Sequence, residues 1–364
     1  MKVDLRTPPA HPVVEMVKFA QRCEEAGFSG IGINDCQQDF RDLYVVMSHI
    51  LRDTERLRVH PAVACPGPRH TSVIASAAKT VQEFGPDRFE LWLARGDAAP
   101  NGIGLPMLTV GEMRDAIIKI KAFMAGETGV YKPLGKDDPG NRHHHALADV
   151  RLYHGGGTPV PVYVGAGAGP LLTRIAGELC DGILLVSPYT AEGLAERRKW
   201  LAEGAARAGR DVSEIHIVLK IFCVIRDTRK QAVRNWSPRL LGALAGKDAE
   251  TRLQALGIEY DIAPLKPAFV EAQTKLRRLG PSSHIVDWDA AEEIAEVIPY
   301  ELQEAMGDAV AILDDPDQVT KRFKELEGLG IDHVYIYNAE AMRLPEPELR
   351  AFKEVIGPAL RSSS

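Results

Sequence analysis

The sequence has no closely spaced cysteine pair, no long apolar run and no excess of positive charge. Its five cysteines, Cys23, Cys36, Cys65, Cys180 and Cys223, are scattered without a C-x-x-C. An odd, dispersed set argues against a disulfide framework and a zinc site, and it suits a reducing cytoplasm. No segment approaches the roughly 18 consecutive apolar residues of a membrane-spanning helix. The opening "MKVDLRTPP" reads as a strand and a turn rather than an apolar leader. A formal charge of −6 argues against nucleic acid or an anionic membrane as the main partner. The short basic run Arg197-Arg198-Lys199 lies in a helical pattern and reads as a solvated face. No internal sequence repeat is visible.

What is present is an α/β alternation over 364 residues, 45% of them hydrophobic and 26% charged, enough to bury a sizeable core. Helical spacing in "VVEMVKFAQRCEEAG", "DLYVVMSHILRDT", "TSVIASAAKTVQEFG" and "GEMRDAIIKIKAFMAG" is interleaved with the strand-like "FSGIGIN", "RLRVHPAVA" and "RFELWLARGD". "PVYVGAG", "DGILLVS", "EIHIVLKIFCVI" and "DHVYIYNAE" continue the alternation. The count is eight strands: one at the N-terminus, then those ending near Asn34, Ala64, Ala94, Gly165, Ser187, Ile225 and Asn338. Eight strands with helices between them predict a (β/α)8 TIM barrel with insertions, forming one domain over residues 1–364. Residues 127–158 read as a long polar loop. Residues 228–313, between the seventh and eighth strands, hold helix patterns and no clear strand, and are expected to form a lid or substrate wall.

In such a barrel the chemistry gathers at the C-terminal strand ends. Those ends place Asn34, Asp35 and Cys36 after the second strand, Ala62 to Cys65 after the third, and Arg95, Gly96 and Asp97 after the fourth. Gly165 to Gly169 follow the fifth and Ser187 the sixth. Lys220 and Phe222 lie within the seventh strand, and Asn338 follows the last. The fifth end, "PVYVGAGAGP", sets Gly165, Ala166, Gly167, Ala168 and Gly169 before a helix opened by Pro170. A turn without side chains lets backbone approach a ligand, and a helix N-terminus favours an anion. A dinucleotide fingerprint fits poorly, because the spacing is G-x-G-x-G and the next strand ends at Ser187 rather than at a carboxylate. A barrel phosphate site and a tight packing turn both remain open. The run His143-His144-His145 reads as solvated loop, since three consecutive histidines cannot all face one ion from a strand or helix. Asp35 has a helix-capping alternative and Asp97 a loop-holding one. His70 is placed to begin a helix, and Cys36 has no activating partner in sequence, so no metal and no cysteine nucleophile is expected.

Four segments together resemble the bacterial-luciferase-like superfamily of flavin and deazaflavin oxidoreductases: "EEAGFSGIGIND" with "RDLY", "TSVIASAAKTVQEFGPDRFELWLARGDAA", "PVPVYVGAGAGPLLTRIAGELCDGILLVS" and "DDPDQVTKRFKELEGLGIDHVYIYNAE". They look most like the branch of methylenetetrahydromethanopterin reductase and its relatives, which use the deazaflavin coenzyme F420. The resemblance implies that Gly165 to Gly169 hold the cofactor's phosphate. It implies a non-prolyl cis peptide at Ala62-Val63, next to Ala64, behind the ring. Gly96 and Asp97 become further cofactor contacts, and Asp35 a catalytic and ring-side acid. Several relatives follow that acid with a catalytic histidine where this chain has Cys36. The implied activity is hydride transfer between F420 and an organic substrate, in a homodimer. An FMN-dependent monooxygenase of the same fold is the alternative, and no strand-end residue separates the two. A flavin-binding barrel without turnover is the third reading, supported only by the missing histidine.

Overall fold

The computed structural model describes residues 1–131, 135–137, 139–142, 150–166, 169–186, 190–280 and 284–362. Among them nine strands appear: β1 (Lys2–Thr7), β2 (Gly30–Ile33), β3 (Arg58–Pro61), β4 (Leu91–Leu93), β5 (Val162–Ala166), β6 (Gly182–Val186), β7 (His216–Ile225), β8 (Ala311–Asp314) and β9 (His333–Tyr337). All pair in parallel, in the order β3-β2-β1-β9-β7-β6-β5-β4. Isolated bridges Val59–Phe89 and Ala64–Leu93 link the two ends of that order. The circuit is a nearly closed eight-stranded α/β barrel, as the alternation predicted.

The remaining strand corrects the reading of residues 228–313 as free of strands. β8 pairs with the outer half of β7, from Phe222–Ala311 to Ile225–Asp314. Its four residues, "AILD", follow a helix directly, and so short an apolar run cannot be told from helix by periodicity. The last barrel strand is therefore β9.

Around the barrel run α1 (Val13–Ala26), α2 (Leu43–Arg52), α3 (Thr71–Gln82), the short α4 (Ala98–Asn101), α5 (Val110–Met124), α6 (Pro170–Leu179) and α7 (Ala191–Arg207). Their apolar spacing turns one face to the sheet. In α1, Met16, Phe19, Ala20 and Cys23 are buried at steps of three and four, and Gly27 at φ +93° ends the helix. The inserted stretch contributes α8 (Arg229–Trp236), α9 (Leu241–Leu244), α10 (Ala249–Ala255), α11 (Lys266–Leu276), α12 (Trp288–Ala295) and α13 (Tyr300–Val310). These pack on a second apolar cluster containing Trp236, Phe269, Trp288 and Leu302, which reaches the barrel through Val224 and Leu313. Then come α14 (Pro316–Gly328), α15 (Glu346–Ala351) and α16 (Gly357–Arg361).

Side chains alternate across each strand, so every second residue enters the barrel. The lowest interior layer is ionic: Asp4 contacts His333 at 2.9 Å and Arg58 at 3.0 Å, and Arg58 reaches Glu90 at 2.8 Å. The middle layer is aromatic and aliphatic, with Trp92, Tyr163, Leu184, Val218 and Tyr335 in one cluster and His60 stacked on Trp92. Gly32 leaves space there, since a Cβ would lie 2.7 Å from the Tyr335 hydroxyl. Two residues further along each strand come Arg6, Asn34, Ala94, Gly165, Lys220 and Tyr337. Strand periodicity thus delivers three cations or phenols from three strands to the open end of the barrel.

Candidate active site

A cavity of about 540 Å³ opens at these C-terminal strand ends. Of the expected residues, Asp35, Ala62, Val63, Gly96, Asp97, Gly165 and Gly169 line it. Ala64 does not, being buried in its bridge to Leu93. Ala166 ends β5, while Gly167 and Ala168 lie outside the described residues, as do Ser187 and His143 to His145.

The peptide between Ala62 and Val63 is cis, as the resemblance implied, and both residues face the cavity. Gly96 beside them has φ +78°, and a Cβ there would come within 2.4 Å of Cys65 Sγ. Only glycine fits that corner. Asp97 N-caps α4 through the Ala98 amide, so it holds its loop while still lining the cavity. Opposite, α6 begins at Gly169 with no side-chain cap and Pro170 at its first turn. Among the described residues, a Cβ at Gly169 would meet nothing within 4 Å. Among them no side chain caps the first amides of α6, which is the arrangement an anion needs.

Asp35 is not the cap of the following helix. That role falls to Asp42, which accepts from the Tyr44 and Val45 amides at 3.0 and 3.2 Å. Asp35 instead accepts from Arg69 Nη1 with both oxygens at 2.6 Å, and Arg69 Nη2 reaches Asp42 at 3.1 Å. One guanidinium thus ties the acid on the cavity wall to the start of α2. Burial pushes the Asp35 carboxyl above its usual range, and the Arg69 charge opposes that. His70, the other base weighed from sequence, caps α3 through Nδ1 to the Ser72 amide at 3.3 Å.

Cys36 is inert here. Its thiol donates to Asp39 Oδ2 at 3.0 Å, and burial with that neighbouring charge pushes it up to about 12. The same Asp39 oxygen lies 2.6 Å from Nδ1 of His284, a cavity-lining residue carried by the inserted stretch. The Cys36, Asp39 and His284 ligand-type atoms lie within 4.8 Å of one another, and the two short contacts are ordinary hydrogen bonds.

Beneath the cavity, three cations surround Tyr337, which lines it together with Lys220. Arg6 Cζ sits 4.2 Å from the centre of the Tyr337 ring, Lys220 Nζ 3.8 Å, and Arg239 Cζ 5.7 Å. Arg6 is fixed by Asn34 at 3.1 Å and by the Asn338 and Glu340 carbonyls at 3.3 Å. Arg239, from the turn after α8, donates to the Ala339 carbonyl at 2.9 Å. Burial opposes ionisation of the Tyr337 phenol, but the three cations outweigh it and draw the group down to about 8. The sequence reading noted Lys220 and missed Arg6, Arg69, Arg239, His284 and Tyr337. A legible signal was charge at period two inside apolar strands, as in "VDLRT" and "HIVLKIF". Arg69, Arg239 and His284 lie outside the strands and carried no such mark.

A family model described as luciferase-like monooxygenase matches residues 2–333. The chain belongs to the luciferase-like monooxygenase family. Within curated relatives it is 23% identical to a 5,10-methylenetetrahydromethanopterin reductase of Methanolobus tindarius, over 90% of each chain. It is 24% identical to an F420-dependent glucose-6-phosphate dehydrogenase of Beutenbergia cavernae, over 96% of this chain and 94% of the relative. The solved coenzyme F420 dependent tetrahydromethanopterin reductase of Methanopyrus kandleri superposes with a TM-score of 0.73 at 18% identity, covering 98% of both chains. That likeness is one of fold.

Proposed function

We propose that this luciferase-like protein is an oxidoreductase that uses coenzyme F420 to exchange a hydride with an organic substrate. The observation that carries the reading is the shape of the cavity. An uncapped helix start at Gly169 faces the Ala62-Val63 wall across a space suited to a phosphate-bearing ring. Near full-length similarity to relatives named for F420 supports the same choice over FMN. When bound, the deazaflavin accepts or gives a hydride.

The chain's own residues then have distinct tasks. Gly165 to Gly169 and the first turn of α6 hold the phosphate through backbone amides, while Ala62, Val63, Gly96 and Asp97 back the ring. Asp35, clamped by Arg69, is the ring-side acid. We read the chain as one barrel domain, with the loop 127–158 and the segment 228–313 as walls that exclude water. Cavity-lining His284 supports the second assignment. A cytoplasmic site agrees with five free, buried cysteines. A homodimer through the early helices agrees with Val14, Val45 and Val73, exposed on α1, α2 and α3.

Titrating the purified protein with F420 and with FMN, each followed by absorbance, tests the reading. F420 is expected to bind at least about tenfold more tightly, a difference near 1.4 kcal/mol. Selective FMN binding with strictly oxygen-dependent product formation would install the monooxygenase instead. Binding of either ring without turnover on any alcohol, aldehyde or pterin offered would favour the non-catalytic barrel. Light scattering decides the dimer.

A further inference from the structure

Tyr337 is the last residue of β9, in the top interior layer of the barrel, and it lines the cavity together with Ala62, Val63 and Lys220. Its ring packs on the aromatic layer below through Tyr335, and edge-on against Phe222. Cations approach it from three separate elements: Arg6 from β1, Lys220 from β7 and Arg239 from the insertion. None of the ion pairs among the described residues engages Arg6 or Arg239; both are fixed by neutral carbonyls and an amide. Arg6 Nη2 is moreover buried without a hydrogen-bond partner among the described residues. Buried positive charge without a carboxylate is costly, and a negative group beside Arg6 and Arg239 relieves it.

We propose that Tyr337 is a proton-transferring residue of this site alongside the ring-side acid Asp35, its phenolate form favoured by the charges of Arg6, Lys220 and Arg239 around its ring. The inference rests on the hydride-transfer reading above. With an alcohol as substrate, the oxidative direction would break its C–H bond with the electron pair, and a bound deazaflavin would take up that hydride. The O–H bond on the same carbon gives its electrons to the new carbonyl, and its proton passes to Tyr337 Oη. In the reductive direction the phenol returns that proton to the carbonyl oxygen as hydride arrives at carbon. No further oxidant or reductant is needed.

The groups facing the phenol agree with this role. The three cations favour the phenolate and outweigh burial, drawing the group to about 8, where both protonation states are populated near neutral pH. Asp97 across the cavity acts in the opposite sense and is weaker. His284 shares the same wall and feels Arg6 and Arg239, which oppose its protonation. Burial lowers the Lys220 ammonium.

The test uses the whole protein and the near-ultraviolet difference absorbance of tyrosinate, which needs no substrate. Of the nine tyrosines, one is expected to ionise in a separate step near pH 8. Tyr337→Phe should abolish that step, and Lys220→Met should move it up by about 1 pH unit or more. No step below about pH 9.5, or a step that survives in Tyr337→Phe, overturns the proposal. The same titration with saturating F420 locates the phenol relative to the bound ring. A displaced step places Tyr337 at the ring; a step unmoved by saturating F420 overturns its catalytic placement. Failure of F420 to bind at all fails the functional reading alone, because the titration of the free protein still decides the phenol.

Discussion

Gly169 and Asp35 carry opposite demands at the scale of single residues. Gly169 is valuable for what it leaves out. A side chain there meets no neighbour among the described residues, and a carboxylate at a helix N-cap would satisfy amides and favour the helix dipole. Gly169→Glu is therefore expected to leave the melting temperature equal or higher, while F420 affinity falls by about tenfold or more as two anions compete for one helix start. Unchanged affinity in the folded variant would remove the phosphate from α6. Asp35 is held by Arg69, so its role in chemistry must be separated from its role in the ion pair. Asp35→Asn is expected to lower turnover by about 10²-fold or more. Arg69→Gln breaks the same pair and keeps the carboxylate, and should cost as much stability with a smaller loss of rate. Equal rate losses in the two variants would make the pair purely structural.

Helix packing decides whether those residues meet. α6 and α7 cross with backbone nearly touching: a Cβ at Gly177 would fall 2.2 Å from the Leu201 carbonyl oxygen, and one at Gly204 would fall 1.9 Å from that of Arg174. Neither obstacle is a movable side-chain tip, so the helices must separate if either glycine grows. Gly204→Ala should cost about 2 kcal/mol through overpacking, read as a lower denaturation midpoint at unchanged slope. It should also weaken F420 binding, since displaced α6 carries its N-terminus away from the Ala62-Val63 wall. The helices themselves were legible, because "PLLTRIAGEL" and "AEGLAERRKWLAEGAARAG" keep helical spacing. The crossing was not, because a helical glycine in sequence gives no sign of which carbonyl it faces.

Across the whole molecule the barrel interior grades from ionic at the base, through aromatic, to cationic at the mouth. That gradient makes stability pH-dependent. His216 sits in the base, its Nδ1 2.9 Å from the Tyr163 hydroxyl, and burial lowers its ionisation from 6.5 to about 4. The unfolded chain therefore takes up a proton below pH 6.5 that the fold refuses. Stability is full above pH 6.5 and declines as pH falls toward 4, by an amount on the order of 2–3 kcal/mol. Denaturation midpoints measured between pH 7.5 and 4.5 should show that decline, and His216→Gln should flatten it. Asp4 acts lower on the scale. His333 and Arg58 overcome its burial and hold its carboxyl well below the usual range, so its contribution survives until pH falls through that depressed value.

The sequence by itself determined the barrel, the strand ends at which chemistry gathers and the glycine turn before α6, while the cis peptide at Ala62-Val63 was implied only by the family resemblance. The first three are written locally, as a period of two or 3.6 or as a residue with a special backbone, and local patterns survive without the fold. Only the tertiary structure decided that Arg69 rather than a free carboxylate environment surrounds Asp35, that His284 crosses from the insertion to Asp39, and that Arg6, Lys220 and Arg239 converge on Tyr337. These contacts join residues from 34 to more than 300 positions apart, and their chemistry comes from mutual distance and lost solvent. Charge and burial act through space, so no spacing along the chain could have announced them.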